Sequence, residues 1–439
     1  MESLSKQPVA AASIAQVYKG MLPGYGEVAV KVQRPGIRKK VELDATLFHS
    51  LATWLETLKW PPRTPFHGKR LFGSVQIVKT VDEFTARVFE DMDFEREAEN
   101  MQMFADMYCH KRGSSTAVQV VVPELIPELC SSRVLVMEWI EGKKLTDICS
   151  DCENRQTELE ENLALVKKAI ECTLSQLFDT GLLHADPHTG NLLKVRSHGG
   201  NPELGYLDFG LVSSVPQNVQ DGIVCAVVQL VFARNIDAVA DFCMDLELLP
   251  KEKFKDPQEK KKLVDALKQA FDDILIWPKD KKGRSTAVPK VRFENLLESL
   301  ASLIANFEFA VQPYFLNNAR ALATLEGIAL KLDRDFNILR VIYPYSINHL
   351  MRNPRVSKKA EETFLQICRS PETKLVDLNR FMLLLNDWAL LTGHRKLKIF
   401  WDLATSAGGR RVSFRIMQEW YLKRVRHLQT WARKLLQKF

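Results

Sequence analysis

The segments HADPHTGN, residues 184–191, and YLDFG, residues 206–210, decide the fold. Asp186 precedes Asn191 by five residues, and Asp208 opens an Asp-Phe-Gly triplet 17 residues after Asn191. This is the spacing of a phosphoryl-transfer loop, in which the aspartate orients the attacking hydroxyl and the asparagine reaches a metal on the phosphates. The second aspartate is a further hard oxygen ligand. The motifs therefore predict a catalytic Asp186 and a Mg²⁺ site at Asn191 and Asp208.

A lysine on a predicted strand lies upstream of these motifs. Between Val28 and Val32, valines alternate with Ala29 and Lys31, which predicts a hairpin strand with Lys31 on the face opposite the valines. The pattern matches the strand whose lysine contacts the α- and β-phosphates of ATP. Any single lysine of this kind is more often solvated on an edge strand, so the assignment depends on the other motifs.

A run of small residues before this strand is a candidate phosphate-binding loop. Small side chains let backbone N–H groups approach phosphate oxygens, as in a glycine-rich loop. Taken alone, such a run is more often an ordinary turn between strands. The candidate residues are Ala10, Ala11, Ala12 and Ser13.

An acidic run, DMDFERE at 91–97, lies on what the periodicity predicts as one long helix from about 75 to 108. Asp93 and Glu97 are four residues apart and would share a face of that helix, so one of them is expected to meet Lys31. Such a run is usually a solvated face. However, the phosphate loop, strand lysine, helix acid, Asp/Asn loop and Asp-Phe-Gly stand in the order of a protein kinase, which argues against coincidence.

A zinc site is the minor alternative for the 184–191 segment. His184 and His188 are four residues apart, a spacing that binds Zn²⁺ when both lie on one helix. Pro187 and Gly190 disfavour a helix there, and Ala185 stands where a zincin has glutamate. The segment therefore favours the phosphoryl-transfer interpretation.

The coarse pattern divides the chain into a mixed α/β first half and a mostly helical second half. We predict an α+β, two-lobed protein-kinase-like fold with a small N-lobe sheet with helices, a mostly α C-lobe and an additional α-helical C-terminal region. The predicted elements are strands with turns at 8–33, a helix at 36–59, a loop at 61–68, short strands at 118–123 and 133–140, a helix at 155–180, and helices beyond Gly210 with a loop at 277–290. The predicted domains are the N-lobe at 1–142, the C-lobe at 143–250, a helical extension at 251–409 and a basic amphipathic helix at 410–439.

Five phrases of this chain resemble signatures of the aarF-domain, or UbiB, atypical kinase-like family over about residues 6–350. They are KQPVAAASIAQVY, VAVKVQRPG, DMDFEREAEN, LLHADPHTGNLL and GYLDFG. The resemblance implies ATP and Mg²⁺ as cofactors and an alanine-rich phosphate loop at 10–13. It identifies Lys31 as the phosphate-contacting lysine, Glu97 as its helix partner, Asp186 and Asn191 as the catalytic-loop pair and Asp208 as the metal ligand. It also implies an adenine-binding hinge that uses backbone groups at Met137, Glu138 and Trp139.

The sequence departs from the family pattern in places. No Lys-x-Gly-Gln motif, which the family carries ahead of the alanine-rich loop, occurs before Lys6. The family's Glu-x-Asp motif reads Asp91-Met92-Asp93, one methylene shorter at its first acid. In addition, no Ala-Pro-Glu follows Gly210, so ATP hydrolysis or a small-molecule or lipid-linked role is favoured over phosphorylation of other proteins.

The resemblance also implies a biological setting. It implies support of isoprenoid-quinone or prenyl-lipid metabolism at an organelle membrane, with proteins of that biosynthesis as partners. The stretch at 313–345 looks most like plant or algal members. We therefore expect a chloroplast protein, with the mitochondrion as the alternative.

The net charge of +7 is concentrated near the C-terminal end of the chain. Residues 351–439 hold 19 Lys/Arg and 7 Asp/Glu, so they carry 19 − 7 = +12 and the rest carries −5. Residues 410–439 predict a basic amphipathic helix that binds a membrane surface or anionic lipid; docking on the kinase body is the equal alternative. Its apolar stripe comprises Met417, Tyr421, Val425, Leu428, Ala432 and Leu435, flanked by Trp420 and Trp431. No motif supports nucleic-acid binding, and none is expected.

Cysteine spacing and hydropathy add two expectations. The pair Cys149 and Cys152 has no second pair or His pair to complete a metal site, so we expect free thiols in a reducing compartment. No stretch reaches the ~18 apolar residues that span a bilayer.

Three functions follow from the sequence. The first is a Mg-ATP-dependent ATPase or atypical kinase. The second is a nucleotide-binding pseudokinase scaffold for lipid or quinone biosynthesis enzymes. The third is a lipid-binding or carrier protein that uses the C-terminal helices.

Overall fold

The computed structural model describes most of the 439 residues. The described ranges are 2–59, 77–109, 118–148, 152–196, 200–230, 235–245, 248–249, 252–275, 289–291, 299, 303, 306–307, 313–352, 358–370, 376–392 and 395–436. The chain forms two compact units. The first contains Met1–Lys144 and Gly190–Val212, and the second contains Leu145–Thr189 and Ser213–Phe439. The segment with Asn191 and Asp208 thus returns to the first unit.

The described elements follow in chain order. The strands are β1 (Ser3–Leu4), β2 (Ala10–Ala11), β3 (Ala15–Leu22), β4 (Gly26–Gln33), β5 (Val134–Glu138), β6 (Gly142–Lys144), β7 (Leu182–His184), β8 (Leu192–Val195), β9 (Glu203–Tyr206) and β10 (Val212–Ser214). The helices are α1 (Ile37–Thr57), α2 (Ile77–Asp91), α3 (Phe94–Tyr108), α4 (Cys152–Ser175), α5 (Gln217–Val228), α6 (Ile236–Asp245), α7 (Pro257–Ile274), α8 (Pro313–Leu332), α9 (Leu339–Arg352), α10 (Lys358–Cys368), α11 (Leu378–Thr392), α12 (Lys396–Thr405) and α13 (Ala407–Leu436).

An antiparallel sheet in the order β1–β3–β4–β5 organises the first unit, with β2 also pairing to β3. The predicted hairpin is confirmed as β3 and β4. Its turn contains Gly24 and Gly26 at φ of 82° and 85°, a left-handed conformation that glycine adopts without a steric penalty. Val28 and Val30 are buried against Ile126 and Val136. Because side chains alternate along a strand, Lys31 faces the other side, as predicted.

The predicted long helix at 75–108 is wrong, because the chain breaks into α2 and α3. Asp93 has extended backbone angles, φ −94° and ψ 98°, and its side chain accepts hydrogen bonds from the N–H groups of Glu95 and Arg96. These bonds satisfy N–H groups that have no partner at a helix start, so Asp93 is the N-cap of α3. Asp93 and Glu97 therefore do not share a helix face. The predicted loop at 61–68 lies outside the described residues.

A second small antiparallel sheet, β6–β8–β9, also belongs to the first unit. The strand predicted at 133–140 is confirmed as β5. The one predicted at 118–123 is wrong: Val120 and Val121 form only isolated bridges, to Cys109 and Gly205. A strand needs a continuous ladder, and here each residue pairs with a different segment.

The second unit is mostly helical. Helix α4 packs against α8 and α9, and α9 also packs against α5 and α13. A separate buried cluster, which includes Ala240, Phe254 and Leu263, forms around α6 and α7. The helical character predicted beyond Gly210 is confirmed for the described ranges, apart from β10. Most of the predicted loop at 277–290 lies outside them. None of the helices in these ranges is long and apolar enough to cross a membrane.

Candidate functional site

Lys31 and Glu97 form the centre of the site in the first unit. The Lys31 ammonium lies 2.6 Å from Oε1 and 2.8 Å from Oε2 of Glu97, so the pair is bidentate. Strand β4 supplies the lysine, and the first turns of α3 supply the glutamate. Both side chains are shielded from water, with 13% and 2% exposed. The ammonium also lies 5.3 Å from the centre of the Phe94 ring. The predicted pairing of Lys31 with Glu97 is therefore present.

Asp208 is the accessible third member of this cluster. Its Oδ2 lies 3.1 Å from the Lys31 ammonium, and 40% of its side chain is exposed. Its Oδ1 accepts a 3.0 Å hydrogen bond from the Gly210 N–H, which holds the carboxylate across the Asp-Phe-Gly turn. The lysine thus bridges one buried and one exposed carboxylate.

Burial and neighbouring charges have opposing effects on the pKa values of Lys31 and Glu97. The pKa of Glu97 is raised to about 7: burial raises it most, the negative charge of Asp208 adds to this, and Lys31 opposes both. For Lys31, burial alone would lower the pKa, but the charges of Asp208 and Glu97 outweigh burial and raise it. Desolvation has the larger effect on Glu97 because its carboxylate is the more deeply buried group. Lys31 therefore remains cationic, and Glu97 is the group that titrates near neutrality.

Asn191 is linked through its backbone to the segment that carries Asp208. Its carbonyl accepts a 3.1 Å hydrogen bond from the Leu207 N–H, one residue before Asp208, and the residue is buried. The amide oxygen of Asn191 and the carboxylate of Asp208 are hard ligands of the kind that Mg²⁺ prefers. One carboxylate and one amide leave the remaining positions to phosphate oxygens and water, so these residues fit a phosphate-bound Mg²⁺.

Asn100 is a site residue that the sequence reasoning missed. It is buried on α3, and its amide donates a 3.0 Å hydrogen bond to the Phe209 carbonyl. The ring of Phe104, one turn further along, lies 5.1 Å from the Phe209 ring. The signal was the helical spacing of Glu97, Asn100 and Phe104, which places all three on one face.

The alanine-rich loop is a hairpin turn between β2 and β3. Ala10 and Ala11 pair with Val17 and Gln16, and Ala12 accepts a 2.9 Å hydrogen bond from Arg34 Nε. Ala10, Ala11, Ala12 and Ser13 are all exposed. The Ala12 N–H donates to the Ala15 carbonyl at 2.9 Å, so this donor is used within the hairpin.

The predicted hinge residues lie on or just after β5. Met137 pairs with Ala29 of β4, whereas the N–H groups of Glu138 and Trp139 donate to the carbonyls of Glu124 and Glu27, at 2.8 Å and 3.0 Å. Because these two donors are used within the protein, a nucleotide base would meet carbonyl oxygens of this segment.

Asp186 and its two flanking histidines belong to the second unit. Asp186 is partly exposed, and its Oδ2 lies 3.8 Å from His188 Nε2. The stretch from Ala185 to Thr189 is not helical, as Pro187 and Gly190 predict. Among the described residues, no three His, Cys, Asp or Glu side chains cluster in a way that would hold a metal. The zinc alternative therefore has no third ligand there.

Cys109, Cys130, Cys172, Cys225, Cys243 and Cys368 are free thiols. Cys149 and the Cys152 side chain lie outside the described part of the chain.

A strand lysine held by a helix glutamate next to an Asp-Phe-Gly aspartate defines a protein-kinase-like protein. The chain belongs to the ABC1 atypical kinase-like family: residues 1–242 match the ABC1 atypical kinase-like domain, and residues 285–337 match the UbiB helical domain. This confirms the family resemblance and the α+β kinase-like fold class.

Relatives of known sequence span plants and cyanobacteria. The chain is 34% identical over 357 residues to the protein ACTIVITY OF BC1 COMPLEX KINASE 3, chloroplastic, of Arabidopsis thaliana, covering 80% of this chain and 44% of the relative. It is 34% identical over 348 residues to the uncharacterized protein sll0005 of Synechocystis, covering 79% and 45%. The chain thus spans under half the length of these relatives.

A solved structure of Rv3197 with erythromycin, from Mycobacterium tuberculosis, is 22% identical with a TM-score of 0.47, covering 75% of this chain and 74% of that one.

Proposed function

We propose that this chain is a Mg²⁺-dependent ATPase or atypical kinase that supports isoprenoid-quinone or prenyl-lipid metabolism at an organelle membrane. One observation carries the enzymatic part: the Lys31 ammonium is held between buried Glu97 and exposed Asp208. A cation in that place is presented to an anionic ligand with little loss of side-chain entropy, because Glu97 already orders it. The membership of the ABC1 family supports the same conclusion.

Each residue has a distinct task in the proposed reaction. Lys31 contacts the α- and β-phosphates of ATP, while Glu97 holds the lysine in place. Asp208 and Asn191 would hold Mg²⁺, which would neutralise charge on the phosphates. The backbone of Ala10–Ser13 covers the phosphates. Asp186 orients the attacking hydroxyl or water and accepts its proton, a role that rests on its spacing from Asn191.

The adenine is proposed to lie against Met137, Glu138 and Trp139. A carbonyl of this segment would accept from the adenine amino group, because the N–H groups of Glu138 and Trp139 are engaged by Glu124 and Glu27. In the proposed hinge contact, the protein therefore supplies hydrogen-bond acceptors and not donors.

A pseudokinase scaffold is the second candidate. Its supporting observation is that the family's Glu-x-Asp motif reads Asp91-Met92-Asp93 in this chain. In both cases the partners would be enzymes of lipid or quinone biosynthesis. No nucleic-acid partner is proposed.

Turnover separates the two candidates. We would measure Mg²⁺-dependent ATP hydrolysis and nucleotide affinity for the wild type and Asp208→Asn, with Asp44→Asn on the exposed face of α1 as the matched control. The enzyme predicts turnover in the wild type and the control, and a loss of about 100-fold or more in Asp208→Asn. Nucleotide binding without turnover in the wild type, with or without lipid, would instead support the scaffold.

We propose that α13 brings this activity to a membrane. One side of the helix is docked: Ile416 is buried, and Glu419 is bound by Arg369, the residue that follows α10. Met417 and Tyr421, from the predicted stripe, are 63% and 64% exposed. Exposed apolar side chains among arginines suit an anionic lipid surface. Leu428, Trp431, Ala432 and Leu435 have side chains outside the described set.

The relatives from Arabidopsis are named as chloroplastic, which supports a chloroplast location for this chain, with the mitochondrion as the alternative. Membrane contact by α13 would then be at the surface of an organelle membrane.

A further inference from the structure

We propose that helix α9 positions the start of the catalytic loop through a hydrogen-bond relay in the second unit. In this relay, Tyr345 and His349 hold Asp179, which lies three residues after Gln176, and Gln176 holds the backbone of His184. Asp179, His349 and Gln176 would thus be positioning residues for Asp186. The catalytic consequence rests on the proposed function, whereas the relay itself does not.

The relay is built on a π-helical turn. Helix α4 continues without a break into Gln176–Thr180, and Gly181 closes the turn by donating its N–H to the Gln176 carbonyl at 2.8 Å. Gly181 has φ 72°, and a Cβ there would clash with Gln220 Nε2 and lie 2.8 Å from the Val215 carbonyl. The turn is therefore closed by a glycine that other residues replace only with strain. Turns of this type are rare and concentrate at functional sites.

Gln176 links this turn to the catalytic loop. Its side chain is fully buried, and its Oε1 accepts a 2.7 Å hydrogen bond from the His184 N–H. Its Nε2 contacts Cys172 Sγ at 3.3 Å. A buried amide held at both ends has one available orientation, so any shift of the turn is transmitted to His184, two residues before Asp186.

Asp179 ties the same turn to α9. Its Oδ2 accepts from the Tyr345 hydroxyl at 2.6 Å and from Ser175 Oγ at 2.9 Å, and its Oδ1 accepts from His349 Nδ1 at 2.8 Å. Burial alone would raise the pKa of Asp179, but the hydrogen bonds from His349 and Tyr345 outweigh it and lower the pKa. The carboxylate is therefore ionised, and His349 donates from Nδ1.

The α9 side of the relay is ordered by packing. Tyr345 and His349 are four residues apart, so they share a face of α9. The buried Phe178 ring lies 6.3 Å from the Tyr345 ring and 5.5 Å from the His349 ring. Helix α9 follows residue 337, where the match to the UbiB helical domain ends. A helix outside both matched regions thus supports the loop that carries the catalytic aspartate.

Loss of the His349 donor leaves one oxygen of a half-buried carboxylate without this partner. The energetic cost of that loss falls on the π turn, which can relieve it only by moving Asp179 toward water. Such a movement draws Gln176 away from the His184 N–H. The expected result is a catalytic loop that opens more often, with little change in nucleotide binding, because Lys31 and Asp208 belong to the first unit.

Amide hydrogen exchange of the peptide covering 181–188 tests the relay directly. The variants are His349→Leu, which removes the donor, and His349→Asn, whose amide nitrogen occupies nearly the position of Nδ1. Ser346→Ala is the control, because this buried hydroxyl on the same helix donates only to Ile342 within α9. We expect about tenfold faster exchange in His349→Leu and exchange like the wild type in His349→Asn and Ser346→Ala.

Turnover of MgATP provides a second readout. We expect kcat of His349→Leu to fall about tenfold while KM changes less than about twofold, because positioning affects the transition state and not nucleotide binding. Tyr345→Phe keeps the ring and loses only the hydroxyl, so it replaces His349→Leu if that variant does not fold. We expect Tyr345→Phe, like His349→Leu, to speed exchange and lower kcat.

The relay would be overturned if His349→Leu or Tyr345→Phe exchanged at the wild-type rate. It would also be overturned if Ser346→Ala accelerated exchange as much as His349→Leu does. If the wild type itself shows no ATP turnover, the proposed enzymatic function fails, and the exchange measurement alone still decides whether α9 holds the loop.

Discussion

The ammonium nitrogen of Lys31 lies 2.6 Å from Oε1 of Glu97, a contact between residues 66 positions apart in the chain. It costs desolvation of both charges, and the coulombic attraction offsets that cost only while both partners are present. The consequence is asymmetric: removal of Lys31 leaves the buried Glu97 carboxylate without its cation, whereas removal of Glu97 leaves Lys31 paired with Asp208.

Replacement of the lysine tests this asymmetry. Lys31→Met is expected to lower ATP turnover about 100-fold or more, because a positioned cation for the phosphates is lost. We also expect weaker nucleotide binding. Lys40→Met, on the exposed side of α1, is the control for loss of a positive charge, and steady-state turnover is the measurement. Equal activity in both variants would contradict the role of Lys31.

The raised pKa of Glu97 predicts a pH-dependent difference in stability. The folded pKa of about 7 exceeds the ordinary value of 4.5, so the folded state binds more protons than the unfolded state between these pH values. Ionisation of Glu97 therefore costs stability as pH rises through this window. The Tm of Glu97→Gln, minus that of the wild type, should increase from pH 4.5 to 7 and level off above about pH 8.

The opposite trend has a clear meaning. A difference in Tm that decreases over the same range would show that attraction to Lys31 outweighs the burial of Glu97. Lys31 and Glu97 would then form an ion pair in which both groups are charged at neutral pH.

Asn100 is expected to stabilise the Asp-Phe-Gly segment. In Asn100→Leu the buried Phe209 carbonyl loses the hydrogen bond from the Asn100 amide. This loss should lower the free energy of unfolding by about 1–3 kcal/mol. We also expect lower turnover, because Phe209 adjoins Asp208. The measurements are urea unfolding and kcat. Gln102→Leu, a half-buried amide on the same helix, should change both much less; similar losses in the two variants would argue against a specific role of Asn100.

We expect Asp93 to act as a helix cap and not as the ion-pair partner of Lys31. Asp93→Ala is expected to lower the unfolding free energy by about 1 kcal/mol, because the N–H groups of Glu95 and Arg96 lose their acceptor. Asp93→Asn keeps an acceptor oxygen and should lose little. Thermal unfolding compares the variants. If both substitutions destabilise equally, the charge near the helix start matters more than the cap.

The exposed apolar face of α13 predicts lipid binding. A Met417→Glu, Tyr421→Glu double variant should bind anionic vesicles about tenfold more weakly, because it loses apolar area and adds negative charge. Gln418→Glu, on the adjacent exposed position, controls for added charge. Co-sedimentation with anionic and zwitterionic vesicles is the measurement. Unaltered binding of the double variant would place the lipid contact elsewhere.

Local patterns predicted the hairpin, the strand at Lys31 and the non-helical loop after His184, since each depends on neighbours within a few residues. The break between α2 and α3 was not predictable in the same way. Asp93 fits a helix face by spacing and an N-cap by chemistry, and the hydrogen bonds to Glu95 and Arg96 decide between them.

Several residues escaped the sequence reasoning because their partners are distant. Asn100 bonds a residue 109 positions away, and Asp179 bonds Tyr345 and His349 at separations of 166 and 170. Helical spacing places Asn100 on the same face as Glu97, but no local pattern identifies the distant partner of an Asn or Asp. Gln176 shows the same difficulty at shorter range, because only the π turn directs its side chain to the His184 N–H.

The sequence alone determined the order of the kinase-like motifs, and hence the kinase-like class, because each motif is a pattern within one loop or strand. The family resemblance pointed to Glu97, but only the tertiary structure showed that Glu97 and not Asp93 contacts Lys31, and that Asn100 holds Phe209. The reason is physical. A long-range contact depends on which side chains are desolvated together, and that is settled when strands and helices pack.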